Sequence, residues 1–519
     1  MHTDARTRCL AATAGLMLLL AGCWGGASSG TTTLPDSGAE TKGTLPPKPL
    51  LEGWDKPAVA LMLSGELHGY LEPCGCSETQ SGGLARRAHL ERILTGEKRW
   101  TVVGLDVGDT LKRARRQDQV KLESILSGFK QLGYVGVAAG LSELRLDPAL
   151  LLSQFTEADG VPLGGLLLGA NVVLYDSPDL GVPKPYRLIE AGDVKIGVTA
   201  VVGPSIANEV APAGVQSGVA IRDAQTALND VLPKLQAESP ELLILLSHGS
   251  MDEARALAKN NPQFHAVLAA GGPEEPASQP EQIGDTLVLF TGYKGKHVGL
   301  LGYYPNATPR LKWELVNLDN QRFDSDPRME QLMRHYQQQL KDLDLARSDE
   351  LLIRHSSGQT YIGAEKCGEC HTKAYSYWKE TPHAKAYHSL ERGRKGQEAN
   401  WVSRIYDPEC LCCHVTGWDP QQVQRYDSGF LDAAATKHLA GQQCENCHGP
   451  GSGHADLEWK YRKDRQNVSL DEVNAGRAAM KLNSAAAEKQ VCSKCHDDEN
   501  SPNFNFAKYW DKVKHPWKD

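Results

Sequence analysis

The sequence predicts a multidomain protein: a layered α/β domain, then a mostly α domain with little apolar core of its own. Three observations carry this. The chain has 519 residues, more than one hydrophobic core usually organises. Between residues 57 and 320, short runs rich in Val, Leu and Ile alternate with helical patterns, as in a largely buried sheet flanked by helices. From residue 356 to the end such runs are few, and nine of the 17 histidines and six of the ten tryptophans collect there.

The start of the chain reads as a targeting segment. Arg6 and Arg8 precede an apolar run from Leu10 to Leu20, too short for an ordinary spanning helix. The run ends in Leu20-Ala21-Gly22-Cys23, which resembles the lipobox of bacterial lipoproteins. The resemblance implies cleavage after residue 22, a lipid on Cys23, and a place in the cell envelope on the periplasmic face or at the outer membrane. An ordinary secretory signal is the alternative. Residues 23–56 are rich in Gly, Ser, Thr and Pro, so they are expected to form a flexible tether.

Within 57–320 the predicted strands are 58–63, 101–105, 169–173, 194–202, 241–246, 266–270 and 286–290. Predicted helices are 84–94, 117–132, 223–235 and 251–259. A charged helix over 326–345, with apolar residues at helical spacing from Met329 to Leu343, is expected inside a helical linker, 321–355. The net charge of -8 gives no basic footprint for a nucleic-acid partner.

Cysteine spacing identifies the chemistry of the last domain, 356–519. Of 13 cysteines, eight fall in four copies of one pattern: Cys367-Gly-Glu-Cys370-His371, Cys410-Leu-Cys-Cys413-His414, Cys444-Glu-Asn-Cys447-His448 and Cys492-Ser-Lys-Cys495-His496. Two thiols at this spacing add across the vinyl groups of one haem, and the adjoining histidine coordinates the iron. Zinc ribbons also use paired Cys-x-x-Cys, but they do not require a histidine after every pair. The reading is four covalently bound haem c groups, with aromatic residues packed around them. Cys412, inside the second motif, reads as a passive buried thiol. Five histidines remain as candidate distal ligands: His383, His388, His438, His454 and His515.

At this point residues 361–519 resemble the tetrahaem cytochromes c that accept electrons from hydroxylamine oxidoreductase. The resemblance lies in Tyr361-Ile-Gly-Ala-Glu-Lys-Cys367, Thr381-Pro-His383-Ala, Cys413-His414-Val-Thr-Gly417-Trp418, the stretch from Cys444 to His454, and Lys514-His515-Pro516. It implies three haems with two axial histidines and one open haem, with His383, His454 and His515 as distal ligands and the haem of His414 open.

The loops of the α/β domain resemble, in order, the metallophosphoesterase domain of periplasmic 5'-nucleotidases. That family holds two metal ions with an Asp-x-His, a Gly-Asp, an Asn-His-Glu loop, a single His and a final His-x-His. Here Glu66-Leu67-His68 stands at the first motif, Gly108-Asp109 at the second, and His248 at the single histidine. Gly140-Leu141-Ser142-Glu143 and Gly271-Gly272-Pro273-Glu274 stand where other ligands are expected. Glu66, His68, Asp109 and His248 therefore remain for one divalent metal ion, and a two-metal clamp is not expected. A relic site without metal is the alternative.

Cys74 and Cys76, in Glu72-Pro73-Cys74-Gly75-Cys76, are foreign to that family. Such a pair closes an unstrained disulfide only with difficulty and suits soft-metal binding or redox exchange. The expected function is a lipid-anchored, extracytoplasmic electron carrier with redox partner proteins and a degenerate metallophosphoesterase-like domain for partner or ligand binding. The alternative is a redox or hydrolytic metalloenzyme acting at the Glu/His/Asp/Cys region, with the haems as its electron conduit.

Overall fold

The computed structural model describes residues 49–73, 80–159, 163–210, 217–393, 398 and 401–515. The leader, Cys23, Cys74 and Cys76 lie outside the described residues. Among the described residues no helix is long and apolar enough to cross a membrane.

The α/β part has fourteen strands among the described residues: β1 Val59–Ser64, β2 Val102–Asp106, β3 Tyr134–Ala138, β4 Leu167–Leu168, β5 Val172–Leu174, β6 Tyr186–Ala191, β7 Val194–Val202, β8 Val219–Ile221, β9 Leu242–His248, β10 Ala266–Ala269, β11 Glu281–Ile283, β12 Thr286–Leu289, β13 His297–Tyr303 and β14 Leu311–Asn317. One six-stranded sheet has the order β14-β13-β1-β2-β3-β4 and the other β11-β12-β10-β9-β7-β6. β1 through β4 run parallel, as do β7, β9, β10 and β12. The edges β14-β13, β6 and β11 are antiparallel.

The sheets pack face to face. Alternate residues of β1 (Val59, Leu61, Leu63) meet Ile196, Val198, Ile244 and Leu268 of the other sheet in one apolar layer. The opposite residues of β1, Ala60 and Met62, face helices Leu84–Arg92, Arg116–Gln131 and Pro327–Leu343. The outer face of the second sheet (Leu243, Leu245, Val267) is covered by helices Ala224–Ala237 and Met251–Asn260. Strands buried on both sides read as continuous apolar runs, which is why β1 and β9 stood out in the sequence.

β3, β6, β13 and β14 did not stand out. β13 is broken by glycines, and Gly299 is required: a Cβ there would lie 2.1 Å from the indole of Trp313 on the paired strand. β14 is mostly half-buried along its length, without a clean alternation. The predicted strand 169–173 begins instead at Val172, because the Asn171 amide is engaged with the Val202 and Arg222 backbones. The last residues of the expected tether are docked. Leu51 is buried with its N–H on Glu314, and Trp54 stacks on Trp100 with centroids 6.2 Å apart. These apolar residues sit in a stretch whose overall composition is Pro- and Gly-rich.

The helix Pro327–Leu343 buries Met329, Leu332, Met333, Tyr336 and Leu340, while Leu343 is exposed. Its Gln337 amide donates to Asp407 at 2.8 Å, so the helix meets the C-terminal segment as well as the sheet layer. That segment consists of short helices and a small three-stranded sheet. Its apolar residues Leu411, Trp418 and Phe430 join the core under β1, whereas beyond Leu439 the buried described apolar residues are Val473 and Ala487.

Candidate functional site

Two groups of chemistry-bearing residues stand out. The first lies at the carboxyl ends of parallel strands, where open α/β sheets present ligand sites. The loops after β1 and β2 run side by side: the N–H of Glu66 donates to Gly108 O at 2.8 Å and that of His68 to Asp109 O at 3.1 Å. Glu66, His68 and Asp109 all have positive φ, at 48°, 49° and 61°. A non-glycine residue held there costs free energy that the surrounding structure must offset, and such strain concentrates at functional sites.

One ligand atom from each of Glu66, His68 and Asp109 lies within 4.8 Å of the others. His68 Nε2 donates to Asp109 Oδ2 at 3.0 Å, and Asp109 Oδ1 accepts from Ser142 N–H at 3.0 Å. Glu66 Oε2 accepts from Gly271 N–H at 3.1 Å. Gly271 has φ 65°, and a Cβ on it would meet Gly249 O at 2.4 Å, so this loop requires glycine to deliver that N–H.

Burial pushes Glu66 up to about 7, which favours its protonated form unless a cation is close. Burial would also raise Asp109, but the His68 hydrogen bond, the nearby His248 and Ser142 outweigh it and hold Asp109 below its ordinary value. One nitrogen and two carboxylates, each carboxylate fixed by a backbone N–H, fit a single hard or borderline cation.

His248, expected as a fourth ligand, is not brought into this cluster. Its Nδ1 donates to Val107 O at 3.0 Å and its Nε2 accepts Leu141 N–H at 3.1 Å, so both ring nitrogens are taken by the backbone. Glu143, in the loop where the family has Asn and His, is consumed likewise. It accepts from the N–H groups of Asp109, Thr110 and Gly140.

The second group is in the C-terminal segment. The rings of His371 and His454 lie 6.2 Å apart, those of His383 and His496 6.1 Å, and those of His448 and His515 5.8 Å. Two imidazoles bound to one metal from opposite sides, each at the usual length of about 2 Å, have centroids about 6 Å apart. His388 is exposed and turned to Glu391, and the backbone carbonyl of His438 accepts from Gln443.

Four Nδ1 atoms of this group are anchored, whereas that of His454 is buried without a hydrogen-bond partner among the described residues. His448 donates to Met480 O at 2.6 Å, His414 to Ala386 O at 2.8 Å and His515 to Val513 O at 2.9 Å, while His496 shares a hydrogen bond with Ser501 Oγ at 2.8 Å. Metal-bound histidines characteristically engage their second nitrogen this way, leaving Nε2 for the metal. Burial lowers His383 to about 4, with His496 and His414 adding to the effect, so the ring is neutral and ligand-competent.

Cys367, Cys370, Cys410, Cys413, Cys444, Cys447, Cys492 and Cys495 are outside any disulfide, as is buried Cys412. Cys367 lies against Cys444, Cys495 against Cys413, and Cys447 beside Cys492, so the motifs neighbour one another in the order first, third, fourth, second. The donor set of paired thiols and paired imidazoles fits haem c.

Residues 366–449, which contain the first three Cys-x-x-Cys-His motifs, match the cytochrome c554 and c-prime family. The C-terminal segment resembles cytochrome c554. Cytochrome c-554 of Nitrosomonas europaea is 30% identical over 166 residues, a match spanning 29% of this chain and 66% of that relative. This match agrees with a donor set that fits covalently bound haem c.

The fold is similar to three solved structures. A 5'-nucleotidase precursor from Thermus thermophilus is 21% identical, with a TM-score of 0.46 over 55% of this chain and 59% of its own. The sulfate thiohydrolase SoxB of Thermus thermophilus is 16% identical, with 0.45 over 58% and 62%. The calcineurin-like phosphoesterase YfkN of Bacillus subtilis is 16% identical, with 0.42 over 55% and 98%.

The α/β domain and the C-terminal segment share one cleft of about 260 Å³, lined by His68 and Asp109 on one side and Glu499 of the cytochrome c554-like segment on the other. Lys112, Lys294 and Glu499 carry no motif, and sequence reading did not single them out. The acidic run Asp497-Asp498-Glu499 after the fourth motif was the one available signal.

Proposed function

We propose that the protein is a lipid-anchored, extracytoplasmic c-type cytochrome that carries electrons on four haems, with a degenerate metallophosphoesterase-like domain that binds a redox partner or ligand. The observation that carries this reading is the set of three imidazole pairs with ring centroids 5.8–6.2 Å apart, each containing one motif histidine. When bound, the haems supply reversible one-electron chemistry.

The chain's own residues do the rest. The motif thiols tether in the order first, third, fourth, second, which supports a continuous path through the segment. His371, His448 and His496 face His454, His515 and His383, a ligation suited to electron transfer. His414 keeps its orientation through Ala386 O. The leader ending in Cys23 supports the lipid anchor, and with it a place in the cell envelope.

Purified protein should show a Soret band and a mass gain of four tetrapyrroles. Colourless protein at the unmodified mass overturns the reading.

A second reading, a metalloenzyme acting at the N-terminal site, is favoured by the strained Glu66/His68/Asp109 cluster. There Asp109 and His68 would hold a cation with Glu66 beside it, and the cation would polarise a bound oxygen. Elemental analysis separates the two. Iron as the sole stoichiometric metal supports the carrier, and a second metal with hydrolytic turnover supports the enzyme.

A further inference from the structure

The turn after the fourth motif places a carboxylate inside the cleft of the α/β domain. Glu499 accepts hydrogen bonds from Tyr70 OH and from Lys294 Nζ, the latter at 2.6 Å, with Lys112 Nζ at 3.5 Å. Gln80 donates to the Glu499 carbonyl at 3.0 Å. Lys294 Nζ also lies 3.8 Å from Glu274, while Arg113 pairs with Glu409 at 3.3 Å and Arg145 with Glu209 at 2.9 Å. Two ammonium groups and a phenol thus converge on one anionic oxygen pair, in a cleft of about 260 Å³ that also reaches His68 and Asp109. That volume is many times the roughly 30 Å³ share of a water molecule, so a tetrahedral oxyanion and its waters fit.

We propose that this cleft binds a small inorganic oxyanion of the phosphate or sulfate type on Lys112, Lys294 and Tyr70, and that Glu499 is its tethered competitor. The exchange reaches the haem ligand through one tight turn. Asp497 Oδ1 accepts from Asn500 N–H at 2.6 Å, and Asp497 O accepts from Ser501 N–H at 2.8 Å. Ser501 Oγ in turn holds His496 Nδ1 at 2.8 Å. An anion that displaces Glu499 reorients this turn, and with it the hydrogen bond that tunes His496. The haem readout rests on the four-haem reading; the anion binding does not.

The experiment titrates haem-loaded, full-length protein with inorganic phosphate at constant ionic strength, followed by calorimetry and by Soret difference spectra. Saturable one-to-one binding is expected, tightened about tenfold by Glu499→Gln and weakened at least about tenfold by Lys294→Met. The Soret change should share the calorimetric midpoint. Absence of saturable binding in both wild type and Glu499→Gln overturns the site, and so does equal affinity in all three proteins. Binding with an unmoved Soret band overturns the coupling to His496. A protein without a Soret band instead removes the four-haem reading and leaves the calorimetric arm intact.

Discussion

Lys121 of the α/β domain forms an ion pair with Glu409, the residue before the first thiol of the second haem motif. The lysine side chain is 5% exposed and comes from the helix Arg116–Gln131. Next to it, Asp407 accepts from Gln117 and Gln337, each at 2.8 Å. Removing the cation leaves two carboxylates in the seam, and a broken buried pair typically costs about 3–5 kcal/mol. Lys121→Met is expected to lose about 3 kcal/mol, the low end, because Arg113 still reaches Glu409. The double variant Lys121→Met/Glu409→Met should recover most of the loss. Denaturant unfolding followed by tryptophan fluorescence reads both.

Glu499 gives the same seam a pH dependence. Burial alone would raise its pKa, yet the hydrogen bonds from Lys294 and Tyr70, with the charge of Lys112, bring it down to about 2. The unfolded value is about 4.3. A carboxyl depressed on folding contributes stability above its unfolded pKa and loses it as pH falls through the folded one. The stability difference between wild type and Glu499→Gln should therefore be constant at neutral pH and shrink between about pH 4.3 and 2. A difference that grows on acidification contradicts the assignment.

The haem motifs were legible because their chemistry is local: two thiols and a histidine within five residues are complete without tertiary information. The distal histidines were not local. His454 lies 83 residues from His371 and His383 lies 113 from His496 by their numbering, and only the family resemblance pointed to them. The Glu66/His68/Asp109 cluster was legible because each member follows a buried parallel strand. His248 lies outside that cluster, because a histidine at the end of β9 also serves the backbone of Val107 and Leu141. Glu499 was invisible because its partners, Tyr70, Lys112 and Lys294, are between 205 and 429 residues away by their numbering.

Axial ligation predicts a spectroscopic pattern that depends on three particular side chains. On the resemblance to tetrahaem cytochromes with one open haem, wild-type ferric protein should show about one quarter of its haem as high spin. Replacing His383, His454 or His515 by alanine removes one of the rings now 5.8–6.2 Å from its partner. Each variant should raise the high-spin share to about one half without loss of covalent haem. His388→Ala should leave it unchanged, since that ring is exposed and engaged with Glu391. Electron paramagnetic resonance on the four variants measures this directly.

The N-terminal cluster predicts the stoichiometry of a second metal. Glu66, His68 and Asp109 offer three converging ligand atoms within 4.8 Å, whereas His248 and Glu143 are saturated by backbone groups. Three ligands serve one cation and are too few for a bridged pair. Protein incubated with manganese or zinc and then desalted should retain one ion per chain beyond its haem iron. Asp109→Ala should abolish this retention, because it removes both a ligand and the acceptor that orients His68 at 3.0 Å. His248→Gln should keep the ion while lowering stability by about 1–3 kcal/mol, the cost of leaving half-buried Leu141 N–H and buried Val107 O with poorer partners. Loss of the ion in His248→Gln with the fold intact would return that histidine to the ligand set. Two ions per chain would require ligands from beyond these three residues.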